Sequence, residues 1–157
     1  MRVSGKLLTI RRDGSEVVVL AGKILQASGM NRCIGCYSCM LACARVVYKS
    51  YSPRYSAIQI RTRGGLQSKL AADICRGCLD APCAAACKTG ALIPRPDGGI
   101  RFNRKKCVGC GDCAVRCVVQ VIYFDKRECR PVVCIQCGTC VRFCPHQVLS
   151  MEVRGNA

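Results

Sequence analysis

Residues Cys107–Cys117 read CVGCGDCAVRC, with cysteines at relative positions 0, 3, 6 and 10. Cys134–Cys144 repeats the run as CIQCGTCVRFC, and Cys33–Cys43 carries it as CIGCYSCMLAC. Cys75–Cys87 is a stretched version, CRGCLDAPCAAAC, with four residues between its second and third cysteines. Sixteen of the 17 cysteines thus fall into four quartets, and Cys129 is left over.

Three cysteines spaced three apart can wrap one tight loop round a face of an iron–sulfur cubane, with sulfurs and backbone amides converging on it. The fourth cysteine is expected to open the helix that leaves the loop. The run resembles the bacterial ferredoxin pattern for [4Fe-4S] clusters, whose last cysteine ligates the neighbouring cluster. Structural zinc usually takes its four cysteines as two separated short pairs, so a third cysteine in each loop would be superfluous. No quartet lacks a ligand, which leaves no indication of a three-iron site. So much cysteine also invites a secreted disulfide scaffold. Cysteines crowded into one loop cannot easily all find distant partners, however, and an odd total leaves a thiol over.

The 157 residues allow one compact unit or two small ones. Aromatics make up only 5% of the chain, and cysteine supplies much of its nominal hydrophobicity. The clusters are therefore expected to form the core, and the metal-free chain to fold poorly. The formal charge is +16. Four oxidised clusters with their thiolates, at about −2 each, would bring it to roughly +8. Much of the basic excess reads as compensation for the clusters, and the remainder could steer an acidic partner. The charge is scattered between cysteine loops without a stripe of stacking aromatics, which argues against nucleic acid. Arg11 and Arg12 resemble a twin-arginine signal only superficially, because the apolar run after them, VVVLA, is too short. Oxygen-sensitive clusters and the lack of a secretion signal make a reducing cytoplasm the expected location; no apolar run approaches membrane-spanning length.

Two β-rich runs, VSGKLLTIRR and EVVVLAGKIL, flank Asp13–Gly14 and predict a hairpin extension over 1–29. No glycine-rich phosphate loop follows, so nucleotide and flavin binding find no support. Cys43 is expected to open a short helix, CARVVYK, and SYSPRYSAIQI to enter a strand ending near Ile60. Arg61–Ser68, with Gly64 and Gly65, reads as a flexible connection and the best boundary. Between Cys87 and Cys107, twenty positions apart, ALI and IRF flank the turn PRPDGG as a second hairpin. After Cys117 a strand and turn lead to Cys134, and a closing strand follows Cys144.

Quartets two and three therefore read as one two-cluster module, 71–117, inserted into an outer module of 30–70 and 118–157. The tandem alternative pairs one with two and three with four, across gaps of 32 and 17 positions that suit the hairpin less evenly. The fold class is α+β, nested ferredoxin-like modules with short helices and β-hairpins.

Under nesting and exchange of the fourth cysteine, cluster A takes Cys33, Cys36, Cys39 and Cys144. Cluster B takes Cys134, Cys137, Cys140 and Cys43. Cluster C takes Cys75, Cys78, Cys83 and Cys117, and cluster D takes Cys107, Cys110, Cys113 and Cys87. Gly35, Gly77, Gly109 and Gly138 are expected to let the backbone approach the clusters. LDAP, between Cys78 and Cys83, should push a small loop outward. Cys129 reads as a small side chain partly buried beside Val132 and Val133, and His146 as a surface residue. Tyr37, Tyr123, Phe124 and Phe143 are expected to shield clusters from water. Lys105 and Lys106 can raise a nearby potential or simply be solvated.

Few residues remain from which to build an active site. Fully ligated clusters offer no open iron to a substrate, so the expected role is to pass single electrons, without catalysis by the chain itself. From Cys33 to about Val153 the chain resembles the four-cluster ferredoxin-like electron-transfer subunits of molybdenum and tungsten oxidoreductases, a group that also serves some hydrogenase and carbon monoxide dehydrogenase systems. The widened second quartet, Cys78-LDAP-Cys83, carries that resemblance, and the family's pairing of quartets agrees with nesting. The compact fourth quartet, with CIGCYSCMLAC and YSPRYSAIQI, looks most like the small subunit of cytoplasmic tungsten aldehyde:ferredoxin oxidoreductase-type enzymes. That likeness implies a large tungstopterin partner, with a FAD/NAD-binding subunit or a soluble ferredoxin at the other end. A repeating assembly is compatible with it. The alternatives are the equivalent subunit of formate dehydrogenase, hydrogenase or carbon monoxide dehydrogenase, and a free polyferredoxin.

Overall fold

Each cysteine run must turn three thiols toward one point within a few residues, and left-handed backbone at two positions per loop achieves it. The residue before the second cysteine is Gly35, Gly77, Gly109 or Gln136, with φ of 72°, 59°, 74° and 57°. Two residues before the third cysteine stand Tyr37, Ala81, Gly111 and Gly138, with φ of 57°, 32°, 82° and 71°. Each of the latter caps a helix whose second residue is the third cysteine. The computed structural model describes residues 7–12, 15–20, 22–64 and 69–153.

Those helices are α1 (Ser38–Tyr48), α2 (Pro82–Ala85), α3 (Asp112–Val115) and α4 (Thr139–Arg142). The expectation that the fourth cysteine opens the helix is thus corrected: α2, α3 and α4 end before Cys87, Cys117 and Cys144, and α1 contains both Cys39 and Cys43. The cause is the cap two residues before the third cysteine, which starts the helix at the next residue. A tight turn follows the last three quartets, closed by Gly90, Gln120 and Gln147 N–H groups donating to the carbonyls of Cys87, Cys117 and Cys144. After Cys43 the chain instead stays helical, with Ala44 fully buried, until Lys49 turns left-handed at φ 55°.

The strands fill every gap between quartets with a two-stranded antiparallel ladder. β1 (Leu7–Arg12) pairs with β2 (Ser15–Leu20), Arg12 opposite Ser15; the Asp13–Gly14 turn lies outside the described residues. The run EVVVLAGKIL does not continue as one strand. Gly22, at φ 74°, separates off β3 (Lys23–Gln26). β4 (Gln59–Thr62) pairs with β5 (Leu70–Asp73), so Arg61 and Thr62 belong to a strand and not to a flexible link. The remainder of that link, 65–68, lies outside the described residues. β6 (Leu92–Pro94) pairs with β7 (Ile100–Phe102) across the expected turn, and β8 (Tyr123–Asp125) with β9 (Arg130–Val132). β10 (Ser150–Val153) returns to β3, Val153 opposite Lys23 and Ser150 opposite Gln26.

Packing follows the same order. α1 lies against α4, and α2 against α3. One core gathers Leu25, Met40, Tyr48, Ile58, Ile60, Val132, Val148 and Leu149 round the thiols of the first and fourth quartets. A smaller one gathers Ala84, Leu92, Ile100, Phe102 and Val133 with Cys83, Cys87, Cys107 and Cys113. The result is an α+β fold of short helices and small antiparallel hairpins, consistent with ferredoxin-like modules. No helix among the described residues is long and apolar enough to cross a membrane.

Candidate metal centres

The shared cap geometry brings thiols from distant loops to common cavities. Cys33, Cys36 and Cys39 border one together with Cys144, more than a hundred positions later in the chain; Tyr37, Ile60, His146 and Leu149 complete its wall. Cys134, Cys137 and Cys140 border a second with Cys43 from α1. Cys75, Cys78 and Cys83 border a third with Cys117, and Cys134 reaches its edge. These cavities enclose about 340, 340 and 500 Å³, part of it open to solvent. Cys107, Cys110 and Cys113 face one another at the third loop, and Cys87 joins Cys107 and Cys113 against the smaller core.

The protonation of these thiols records the same neighbourhoods. Burial pushes Cys39 from its ordinary 9.0 up to about 11, and Cys144, Cys36 and Cys33 add to the rise. Burial does the same for Cys83, to about 11, reinforced by Cys75 and Cys117, and for Cys113, to about 11, reinforced by Cys110 and Cys107. Cys140 is raised still further by burial, then by Cys43 and Cys137. Cys134 is pushed well up by burial and then by Cys75 and Cys43. Clustered buried thiols repel one another as thiolates, and a metal group offsets that cost by neutralising them and displacing their protons.

Cys36 and Cys87 behave differently. Cys36 is lowered by hydrogen bonds from the Ser38 side chain and backbone. At Cys87 burial is outweighed by hydrogen bonds from Leu92, Thr89 and Ala91. An all-thiol donor set in apolar clefts suits soft metals and iron–sulfur clusters. No three His, Cys, Asp or Glu side chains among the described residues are gathered tightly enough to hold a single metal ion.

A thiosulfate reductase electron transfer subunit from Salmonella typhi is 30% identical over 103 residues, covering 61% of this chain and 53% of that protein. A formate dehydrogenase iron-sulfur subunit from Wolinella succinogenes is 30% identical over 96 residues, 60% and 48% of the two chains. Formate hydrogenlyase subunit 2 from Escherichia coli strain K12 is 38% identical over 95 residues, 59% and 43%. The chain is related to iron-sulfur electron-transfer subunits. It spans about half the length of the curated relatives it matches. None of these three names describes a catalytic subunit. No protein-family model matches the chain.

Several side chains stand elsewhere than expected. Cys129 is exposed with a left-handed φ of 46°, because it turns the β8–β9 connection and lays its backbone over Gly109. His146 is half-buried, at the wall of the first cavity. Tyr37 and Phe143 are themselves exposed, while Tyr123 and Phe124 are half-buried; Lys105 and Lys106 are exposed. Leu79 and Asp80 of the widened second quartet do project outward, but Ala81 tucks back under α2. Gly138 does not correspond to Gly35, Gly77 and Gly109. The matching residue in the fourth loop is Gln136. Sequence reading missed that residue and the buried Arg95, whose Nη1 donates to the Ile135 carbonyl at 3.3 Å. Aligning the four runs cysteine on cysteine exposes Gln136 as the exception; nothing in PRPDGG marks Arg95 as buried.

Proposed function

We propose that the chain is the iron–sulfur subunit of an anaerobic oxidoreductase complex of formate dehydrogenase or hydrogenlyase type, relaying single electrons between a catalytic subunit and a second redox carrier. The observation that carries this reading is the meeting of three thiols from one loop with one from a distant loop at common cavities. Four [4Fe-4S] clusters account for all of these thiols. Cluster A is held by Cys33, Cys36, Cys39 and Cys144, and cluster B by Cys134, Cys137, Cys140 and Cys43. Cluster C is held by Cys75, Cys78, Cys83 and Cys117, and cluster D by Cys107, Cys110, Cys113 and Cys87. When bound, such clusters supply reversible one-electron storage without an open iron for substrate.

The protein's own residues hold the thiols in place, exclude water with the two apolar cores and balance anionic charge with the basic excess. The inner module is 71–117 and the outer one 30–70 with 118–157. The partner is a larger catalytic subunit in the cytoplasm, with a flavin subunit or ferredoxin beyond it.

The relatives support the formate and hydrogen-system alternative over the tungsten aldehyde oxidoreductase identity, which none of those named above carries. Anaerobic purification with any bound partner tests both levels. Iron and labile sulfide near sixteen atoms each per chain, on the basis of four cubanes, are the expected result for the subunit. Molybdenum, tungsten or nickel in the co-purifying large subunit then decides the complex. Four zinc ions and no sulfide would end the proposal.

A further inference from the structure

The cavities set the order of the four proposed clusters. Cys134 borders the second and third cavities alike, so clusters B and C are neighbours. α1 packs on α4 and α2 on α3, which puts A beside B and D beside C. Clusters A and D are therefore the two ends. Exposure agrees with that order, because among the quartet cysteines only Cys36 of A and Cys110 of D are exposed.

The two ends present different chemistry. At the first loop Ile34, Tyr37, Leu41 and Phe143 are exposed, an apolar face with two aromatics of the kind standing protein interfaces enrich. At the third loop Val108 and Val115 are 71% and 82% exposed, beside a group of cations. Arg104, Lys105 and Lys106, the single turn leading into Cys107, are all exposed, as are Lys126 and Arg127 of the β8–β9 turn. Two contacts join these pieces into one surface. Arg104 Nη2 lies 3.4 Å from Glu128 Oε2, and the Cys129 backbone lies over Gly109. Little anionic charge offsets the cations: Glu128 is already held by Arg104 and Arg130, Asp112 is half-buried and Asp125 is buried. Charge-rich contacts speed encounter more than they strengthen the complex, which suits a partner that comes and goes.

We propose that the face formed by 104–108 and the β8–β9 turn docks a small acidic one-electron carrier protein, with cluster D as the point of exchange. One electron passes between the carrier's redox group and that cluster, in either direction, with no bond made or broken and no proton required. The inference deepens the electron-transfer reading and rests on it.

The test uses the anaerobically purified protein, with any subunit that co-purifies, and an acidic flavodoxin as the probe. Carbodiimide joins the probe's carboxylates directly to lysines, which mass spectrometry then locates. Cross-links are expected at Lys105, Lys106 and Lys126, and should fade as salt is raised. The double replacement Lys105→Glu and Lys106→Glu is expected to weaken flavodoxin binding about tenfold at low salt. Lys49→Glu with Lys69→Glu changes the net charge equally at exposed positions elsewhere and should leave binding as in the parent. Cross-links confined to other lysines would overturn the inference, and so would parent-like binding by the Lys105 and Lys106 double variant at full iron content. Equally tight binding of a single-stranded DNA oligonucleotide would overturn it too, by showing a response to charge alone. A parent without iron and labile sulfide fails the four-cluster reading and the inference together, whereas full iron without any cross-link fails the inference alone.

Discussion

The Tyr48 hydroxyl donates to the carbonyl of Val133 at 2.7 Å and accepts from the N–H of the same residue. One side chain at the end of α1 thereby satisfies both backbone groups of the residue that leads into Cys134, inside a buried core. Backbone groups left unpaired in such a place cost about 1–3 kcal/mol each. Tyr48→Phe keeps the ring and orphans both, so the holoprotein should lose roughly 2 kcal/mol or more of stability. Loss of the 400 nm-region cluster absorbance during denaturant titration measures it. The loss should begin at lower denaturant than in the parent, and an unchanged midpoint would show that the contact does not matter.

The grouping of thiols predicts which single replacements resemble one another. Cys33 and Cys144 border the same cavity although they stand 111 positions apart, and Cys43 sides with Cys134, Cys137 and Cys140. Under the proposed ligand sets, Cys33→Ser and Cys144→Ser should perturb one EPR component, and Cys43→Ser and Cys140→Ser another. Should Cys144→Ser instead match Cys140→Ser, fourth-cysteine exchange fails and each run holds its own cluster.

Two glycines separate backbone strain from steric exclusion. Gly64 and Gly109 have φ of 87° and 74°, so alanine at either costs about 1–2 kcal/mol of left-handed strain. A Cβ at Gly64 meets nothing within 4 Å, but one at Gly109 would lie 2.7 Å from the Cys129 carbonyl oxygen. The collision is with backbone, which cannot swing aside as a flexible side chain could. Gly109→Ala should therefore lose one cluster's worth of iron on gel filtration, and Gly64→Ala should keep its full content. Equal iron in both would mean that the β8–β9 turn yields easily.

Much of this architecture is legible in the sequence because cysteine spacing and turn residues act locally. PRPDGG predicts the β6–β7 hairpin, and the strand expected near Ile60 is β4. The errors arise where backbone conformation outweighs residue type. Nothing in Tyr37 or Ala81 announces a left-handed cap, so the helices were expected to start at the fourth cysteine and not around the third. EVVVLAGKIL reads as one β-rich run, yet Gly22 divides it and the partner of β3 lies at the far end of the chain. Gln136 and Arg95 escape notice for a different reason. Their roles depend on contacts across 61 and 40 positions, to Cys75 and Ile135, which no local pattern encodes.

The buried thiols predict how the metal-free chain responds to pH. Cys39, Cys83 and Cys113 ordinarily ionise near 9.0 but are pushed to about 11 in the folded chain, first by burial and then by neighbouring cysteines. Below 9.0 they are neutral whether folded or unfolded, so their linkage contribution to stability is fully present. As pH climbs from 9 to 11, the unfolded chain releases these protons and the folded chain resists, so the metal-free fold weakens through that window. Cluster loading has the opposite sense, because its ligands must be thiolates and binding expels their protons. Cys36, lowered by Ser38, should be the early reactive member of its loop. Pulsed alkylation of the metal-free protein at pH 8, read by mass spectrometry, is therefore expected to label Cys36 well before Cys39. The preference should collapse as the pH approaches 11 and the fold opens. Equal labelling of Cys36 and Cys39 at pH 8 would mean that the first loop has no fixed structure until metal arrives.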